Sequence, residues 1–176
     1  MVTKAPSQAK YREVILFFLE HIPRETMGKL KLMKLLYYAD FDHFERYKKP
    51  LLGETYLRWD NGPMPKRAET VLKSMRTVKL IAVEPEKLPS PYRDREMYLP
   101  CRKFNPKNFM PEEIETLHHV AEKWLRHTGT EMRNASHGDP PWVATPRDEV
   151  IDYNLVFYRN TYGEMDADDL KVHGGG

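Results

Sequence analysis

The segment ASHGDPPW, at residues 135–142, holds the three side-chain types of a hydrolase triad within four consecutive residues. Ser136 could act as the nucleophile, His137 as the base and Asp139 as the group that orients the base. Neighbours in a chain rarely meet this geometry, because each side chain must reach the next at about 3 Å. We therefore expect a structural segment, in which a helix ends near Gly138 and Trp142 folds back onto the domain.

Asp40 is a second candidate for chemistry, because it is a carboxylate within the apolar segment KLLYYADFDHF. A hydrolase built from Asp40, Ser136 and His137 is the third of three functional hypotheses. A carboxylate in such a segment more often caps a loop or pairs with a cation, and we expect that role here.

Known catalytic and metal-binding motifs are absent from the sequence. The chain has no Gly-rich phosphate loop, no His-Glu-x-x-His zinc motif and no Gly-x-Ser-x-Gly elbow. Its single cysteine, Cys101, rules out an internal disulfide and a multi-cysteine metal site. We therefore predict no cofactor, no metal ion and no enzymatic activity.

The segment RWDNGPMPK, at residues 58–66, combines turn-forming residues with a large aromatic side chain. Gly62 tolerates positive φ and Pro63 fixes φ, so the segment should form a stiff corner. Such a corner could present Trp59 and Asp60 to a partner with little loss of entropy on binding. Alternatively, Trp59 packs onto the central helix of the domain. The candidate partner-binding residues are those of the corner and its basic flank: Trp59, Asp60, Asn61, Gly62, Pro63, Lys66 and Arg67.

The composition is that of an ordinary soluble protein with no strong electrostatic bias. Of 176 residues, 40% are hydrophobic and 31% are charged, and 28 Lys and Arg against 26 Asp and Glu give a net charge of +2. A net charge so near zero does not by itself favour nucleic acid as a partner. No window holds the roughly 18 apolar residues of a membrane span, and the N-terminal residues lack the apolar core of a signal peptide. We therefore expect a cytoplasmic protein with no membrane contact.

The hydrophobic pattern predicts the elements that would position these residues. Apolar residues at helical spacing predict helices over residues 8–22, 29–47 and 64–77, one beginning at Pro111, one capped by Thr128, and a last one after Thr145. Short strands are predicted over residues 55–59, 78–83 and 95–101, the last two as a hairpin. The second helix is apolar on most of its circumference, so Leu32, Leu36 and Tyr37 should be buried.

These elements predict a mainly α (α+β) fold. We expect a single compact domain over residues 8–160, with five to six helices and a small antiparallel β-hairpin or sheet, followed by a polar, flexible tail over residues 161–176.

Three motifs that follow one another along the chain resemble those of the Panacea domain family, which includes SocA-type antitoxins and phage-associated proteins once grouped as GepA. The three motifs are a lysine-leucine helix ending in tyrosines, an aromatic-x-x-Gly-Pro segment and a late Ser-His…Trp; a glycine in the loop after the helix accompanies them. The resemblance covers about residues 14–158. The matching positions are Lys31, Leu32, Lys34, Leu35, Leu36, Tyr37, Tyr38, Gly53, Trp59, Gly62, Pro63, Ser136, His137 and Trp142.

The resemblance implies an antitoxin that binds a cognate toxin encoded beside it. Such a domain blocks the toxin directly or, in the SocA branch, acts as an adaptor that delivers the toxin to a cytoplasmic protease. No catalytic activity is implied. The activity of the toxin does not follow from the fold, since one fold serves many partners.

A DNA-binding regulator is the second functional hypothesis. Three helices followed by a hairpin resemble a winged helix-turn-helix, and the third predicted helix carries Lys66, Arg67, Lys73 and Arg76. Against this hypothesis, Asp60 places a carboxylate near the start of that helix, where DNA phosphates would lie. Salt-dependent DNA binding would separate this function from protein binding.

Overall fold

The computed structural model describes residues 5–159 and shows a mainly helical α+β domain, as predicted. The tail predicted over residues 161–176 lies outside the described residues. Six α-helices and four strands occur within them: α1 (Gln8–His21), α2 (Lys29–Tyr47), β1 (Tyr56–Trp59), β2 (Gly62–Pro65), α3 (Ala68–Thr77), β3 (Ile81–Glu86), β4 (Arg95–Pro100), α4 (Pro111–Trp124), α5 (Gly129–His137) and α6 (Pro140–Val143). None of the described helices is long and apolar enough to cross a membrane.

Helix α2 forms the centre of the domain. Every residue from position 31 to position 41 is buried, and the predicted burial of Leu32, Leu36 and Tyr37 is confirmed. Helices α1, α4 and α5 pack around α2, together with strand β2. A helix that is apolar on several sides can satisfy all of them only in such a central position.

The strands form two separate antiparallel hairpins. Strands β1 and β2 pair from Tyr56↔Pro65 to Trp59↔Gly62, and β3 pairs with β4 where residues 78–83 and 95–101 were predicted to form a hairpin. The prediction that a helix begins at Met64 is wrong, because Met64 lies in β2 and α3 begins at Ala68. A residue before a proline is disfavoured in the helical region, and Met64 precedes Pro65.

The prediction of a helix after Thr145 is also wrong. Residues 148–151 instead extend the β1 edge, where the Asp148 amide donates to the Arg58 carbonyl at 2.9 Å. A 3-10 helix, Tyr153–Phe157, follows and packs on α2. Hydrogen bonds to a strand that is distant in sequence here outweigh the helical spacing of the local apolar residues.

Candidate partner-binding surface

The hairpin corner, residues 59–63, lies directly on α2 and α5. Gly62 has φ +86°, and a Cβ added there would stand 2.5 Å from the Ser136 Oγ and 2.9 Å from the Lys34 Cε. Only glycine fits a site with both a left-handed conformation and so close an approach. The three sequence motifs therefore meet at one point, with Lys34 from α2, Gly62 from β2 and Ser136 from α5.

Lys34 is a fully buried cation at this meeting point. Its Nζ donates to the Pro63 carbonyl at 2.6 Å and lies 3.4 Å from the Met64 sulfur, and its side chain has no solvent exposure. No carboxylate within residues 5–159 pairs with it. Burial, together with the nearby charge of Arg133, lowers the pKa of Lys34 to about 7.

This lowered pKa predicts a specific pH dependence of stability. Unfolded lysine keeps its proton up to about pH 10.4, so between pH 7 and pH 10 the unfolded chain binds more protons than the folded one. The free energy of unfolding should therefore rise with pH in this window. Relative to Lys34→Met, the free energy of unfolding of the wild type should rise by up to about 1.4 kcal/mol per pH unit. Urea denaturation at several pH values measures this difference, and parallel profiles of the two proteins would contradict it.

Trp142 ties the hairpin corner to the end of α5. Its indole N–H donates to the Trp59 carbonyl at 3.1 Å, and its ring stacks on His137 with centroids 4.3 Å apart. The Arg58 guanidinium lies 4.0 Å from the centroid of the same indole. Trp142 thus folds back onto the domain, as its sequence context predicted, and it fixes the orientation of the corner.

The corner presents part of the predicted binding set to solvent. Trp59 is 46% exposed, so it is not packed into the core. Asp60 is also exposed and pairs with Arg147 at 2.8 Å. The remaining members divide into exposed Asn61 and Lys66, buried Gly62 and Pro63, and half-buried Arg67. The Arg67 guanidinium donates to the Pro6 carbonyl at 3.2 Å, so its described contact is internal.

Ser136 and His137, the nucleophile and base of the triad considered from the sequence, make separate contacts. Ser136 is buried, and its hydroxyl donates to the Arg133 carbonyl at 2.7 Å. His137 stacks on Trp142, and burial lowers its pKa, as do the charges of Arg133 and other cations nearby, against a backbone hydrogen bond with Asp60. No hydrogen bond between Ser136 and His137 occurs in the part of the chain that the structure describes.

Asp40 caps the loop between α2 and β1. Its carboxylate accepts the amides of residues 52, 53 and 54 at 2.5, 3.1 and 3.3 Å, and the hydroxyls of Tyr56 and Tyr153 at 2.8 and 3.1 Å. Burial raises the pKa of Asp40, and the hydrogen bonds it accepts oppose that rise. The buried capping role inferred from the sequence is therefore the one that Asp40 has.

An ion network around Arg159 was not predicted from the sequence. The Arg159 guanidinium donates to both carboxylate oxygens of Asp139 at 2.7 Å, and to Asp42 and Glu45 at 2.7 and 3.0 Å. The Tyr37 hydroxyl donates to the same Asp139 at 2.7 Å. Arg159 and its three carboxylate partners border a cleft of about 850 Å³ between α2, α4 and the end of α5. The only sequence signal was the pair of acids three residues apart on one face of α2.

The basic face predicted for α3 is interrupted by acidic side chains. Lys73 and Arg76 are exposed, but they share a small cavity of about 140 Å³ with Glu69 and Glu96. Lys29 from α2 pairs with Glu69. Among residues 5–159, no group of three or more His, Cys, Asp or Glu side chains is placed to hold a metal ion.

The chain matches the family model described as antitoxin SocA-like, Panacea domain, over residues 32–143. The match runs from α2 to the end of α6, and it includes Lys34, Gly62, Ser136 and Trp142, which meet at the hairpin corner. A comparison with curated proteins finds no significant match. Because the family model covers more than half of the chain, this protein belongs to the SocA-like antitoxin family of Panacea domains.

Proposed function

We propose that this protein is an antitoxin that neutralises a cognate toxin by direct protein–protein binding in the cytoplasm. Family membership supports an antitoxin role and a toxin as the partner in general. The observation that carries the proposal is the convergence of the three family motifs beneath the hairpin corner. Their buried members hold in place a corner whose tip, residues 59–61, faces solvent.

The hairpin corner has the physical properties of a binding anchor. The Trp59 side chain offers a large apolar area, and a two-residue turn between paired strands supports it. The indole N–H of Trp142 fixes the backbone below it. A rigid aromatic side chain loses little entropy when a partner covers it, and such residues dominate the energy of many interfaces.

The proposed mechanism requires no chemistry on a substrate. Ser136 is inaccessible and donates its proton to a backbone carbonyl, while Asp40 is occupied by backbone amides. Neither group is available as a nucleophile or a base. We therefore assign both to the folding of the domain.

Replacing Trp59 by Ala should weaken the complex with the toxin by about 2 kcal/mol, which is about 30-fold in Kd. The melting temperature should change little, because the side chain is 46% exposed and its backbone hydrogen bond with Trp142 remains. Calorimetric titration and thermal denaturation of the same variant measure both quantities. Tyr92→Ala is the matched control, since Tyr92 is a 70% exposed aromatic in the loop between β3 and β4. Lost stability with unchanged affinity would place the binding site elsewhere.

Co-expression tests the proposed function itself. The protein encoded by the neighbouring gene is expressed alone and together with this chain, and growth, complex formation and toxin abundance are measured. Restored growth with a stable complex and unchanged toxin level supports direct neutralisation. Restored growth with a toxin level that falls only when a cytoplasmic protease is present supports the adaptor role. If the wild-type protein neither binds nor neutralises the neighbouring product, the antitoxin proposal fails.

A further inference from the structure

Four basic side chains converge behind the hairpin corner. Lys34 lies under Gly62, Arg58 and His137 both contact the Trp142 ring, and Arg133 lies one turn before His137 on α5. Burial lowers the pKa of His137 most, and the nearby charges of Arg133, Lys34 and Arg58 lower it further. We call these four residues the basic cluster.

The basic cluster has hydrogen-bond donors that the described residues leave unused. The Nε–H donors of Arg58 and Arg133 are buried and have no partner within residues 5–159, and neither has the His137 Nε2, which donates in one of its two tautomers. The Lys34 Nζ donates to the Pro63 carbonyl at 2.6 Å and lies 3.4 Å from the Met64 sulfur, and no carboxylate within residues 5–159 accepts from it. Buried donors without acceptors are rare in folded proteins, so this concentration at one place requires an explanation.

No carboxylate of the described residues compensates the basic cluster. None of the salt bridges within residues 5–159 includes any of its four members. The nearest acids in sequence are engaged elsewhere: Asp60 pairs with Arg147, Asp139 pairs with Arg159, and Glu131 accepts the Thr128 amide in the capping box of α5. Arg58 and Arg133 therefore carry positive charge without a described anion, next to the exposed Trp59.

We infer that the basic cluster binds an acidic side chain of the toxin, an Asp or Glu carboxylate that enters beside Trp59. This inference rests on the proposed antitoxin function and adds the chemistry of the partner. Carboxylate oxygens accept charge-assisted, often bidentate hydrogen bonds from guanidinium groups, and Arg58 and Arg133 are half-buried rather than enclosed. Nucleic acid fits less well, because the cluster is confined to one corner and does not form the basic stripe that a phosphate backbone requires.

Arg133 is the member best suited to a test. It is half-buried, its side chain makes one described hydrogen bond, to Asn134 at 3.3 Å, and Ser136 uses only its backbone carbonyl. Arg133→Gln should weaken binding of the neighbouring gene's product by about 10- to 100-fold at low salt, with an unchanged melting temperature. Arg133→Lys, which keeps the charge, should retain most of the affinity. Arg126→Gln, at an exposed arginine beyond α4, is the matched control and should bind as wild type does.

A second measurement separates a direct contact from a general electrostatic effect. Each Asp and Glu of the toxin is replaced by Asn or Gln, and a double-mutant cycle is measured with Arg133→Gln. One of these toxin substitutions should weaken binding to the wild-type antitoxin. The same substitution should cause little further loss when binding to Arg133→Gln is measured. A fully additive cycle at every acid would overturn the inference.

Three further results would each contradict the carboxylate site in a distinguishable way. Unchanged affinity of Arg133→Gln would remove the site and leave the antitoxin function standing. Failure of the wild type to bind the neighbouring product would remove the proposed function and the inference with it. Salt-dependent binding of a random 20-base-pair duplex, lost in Arg133→Gln while toxin binding persists, would assign the cluster to phosphate instead.

Discussion

Replacing Arg159 by Ala is expected to destabilise the domain by about 3–5 kcal/mol. Its guanidinium is the common partner of Asp139, Asp42 and Glu45, with side-chain exposures of 9, 14 and 27%. Without it, three negative charges would face each other in a largely buried site at the border of the cleft, and Tyr37 would lie against an uncompensated carboxylate. Removing one member of a buried ion pair leaves a charge that neither water nor protein solvates well.

Arg147→Ala provides the matched control for this prediction. Arg147 also binds a carboxylate at 2.8 Å, that of Asp60, but both side chains are about two-thirds exposed. An exposed ion pair contributes at most about 1 kcal/mol, so this variant should unfold almost as wild type does. Urea denaturation of both variants measures the contrast. Equal losses from the two substitutions would show that water screens the Arg159 network as it screens a surface pair.

Replacing Asp40 by Ala should cost at least about 3 kcal/mol of stability. The substitution leaves the amides of residues 52–54 without the carboxylate that accepts them, and each buried unsatisfied donor costs about 1–3 kcal/mol. Tyr56 and Tyr153 keep one acceptor each, the carbonyls of Leu36 and Glu54. The loss should therefore come mainly from the loop that connects α2 to the hairpin.

Asp152→Ala is the comparison for Asp40. Asp152 also accepts a backbone amide, that of Asn154 at 2.9 Å, but it is exposed and water can replace it. Its removal should cost about 1 kcal/mol, as for an ordinary capping residue. If Asp40→Ala were no more harmful than Asp152→Ala, the capping role of Asp40 would be wrong. A toxin-binding assay on Asp40→Ala would show whether the loop also orients the hairpin corner.

Features set by local interactions could be predicted from the sequence. The bounds of α2, residues 29–47, are those that its apolar pattern predicted, because hydrogen bonds between residues four apart form that helix. The capping box of Thr128 with Glu131 at the start of α5 is local in the same way. Lys34, Gly62 and Ser136, which meet at the corner, are all positions of the family motifs.

Features that depend on contacts between distant residues were decided only by the tertiary structure. Met64 has a helical context but lies in a strand, since β1 offers hydrogen bonds and Pro65 disfavours the helix. Residues 148–151 likewise have a helical apolar pattern but pair with the edge of β1. The local sequence could not show that these two segments pair with β1 and do not form helices, because the hydrogen bonds that decide it come from a distant strand.

The sequence by itself determined the helical class of this protein, its central helix and the residues of its three motifs. Only the tertiary structure decided that Gly62 lies against Lys34 and Ser136, that Trp59 remains exposed, and that the basic cluster lacks a described anion. The physical reason is that helical periodicity and capping act over three or four residues, whereas burial and charge compensation depend on side chains far apart in the chain. Arg159 and Asp42 are 117 residues apart, and the spacing of the acids on α2 does not indicate which cation pairs with them.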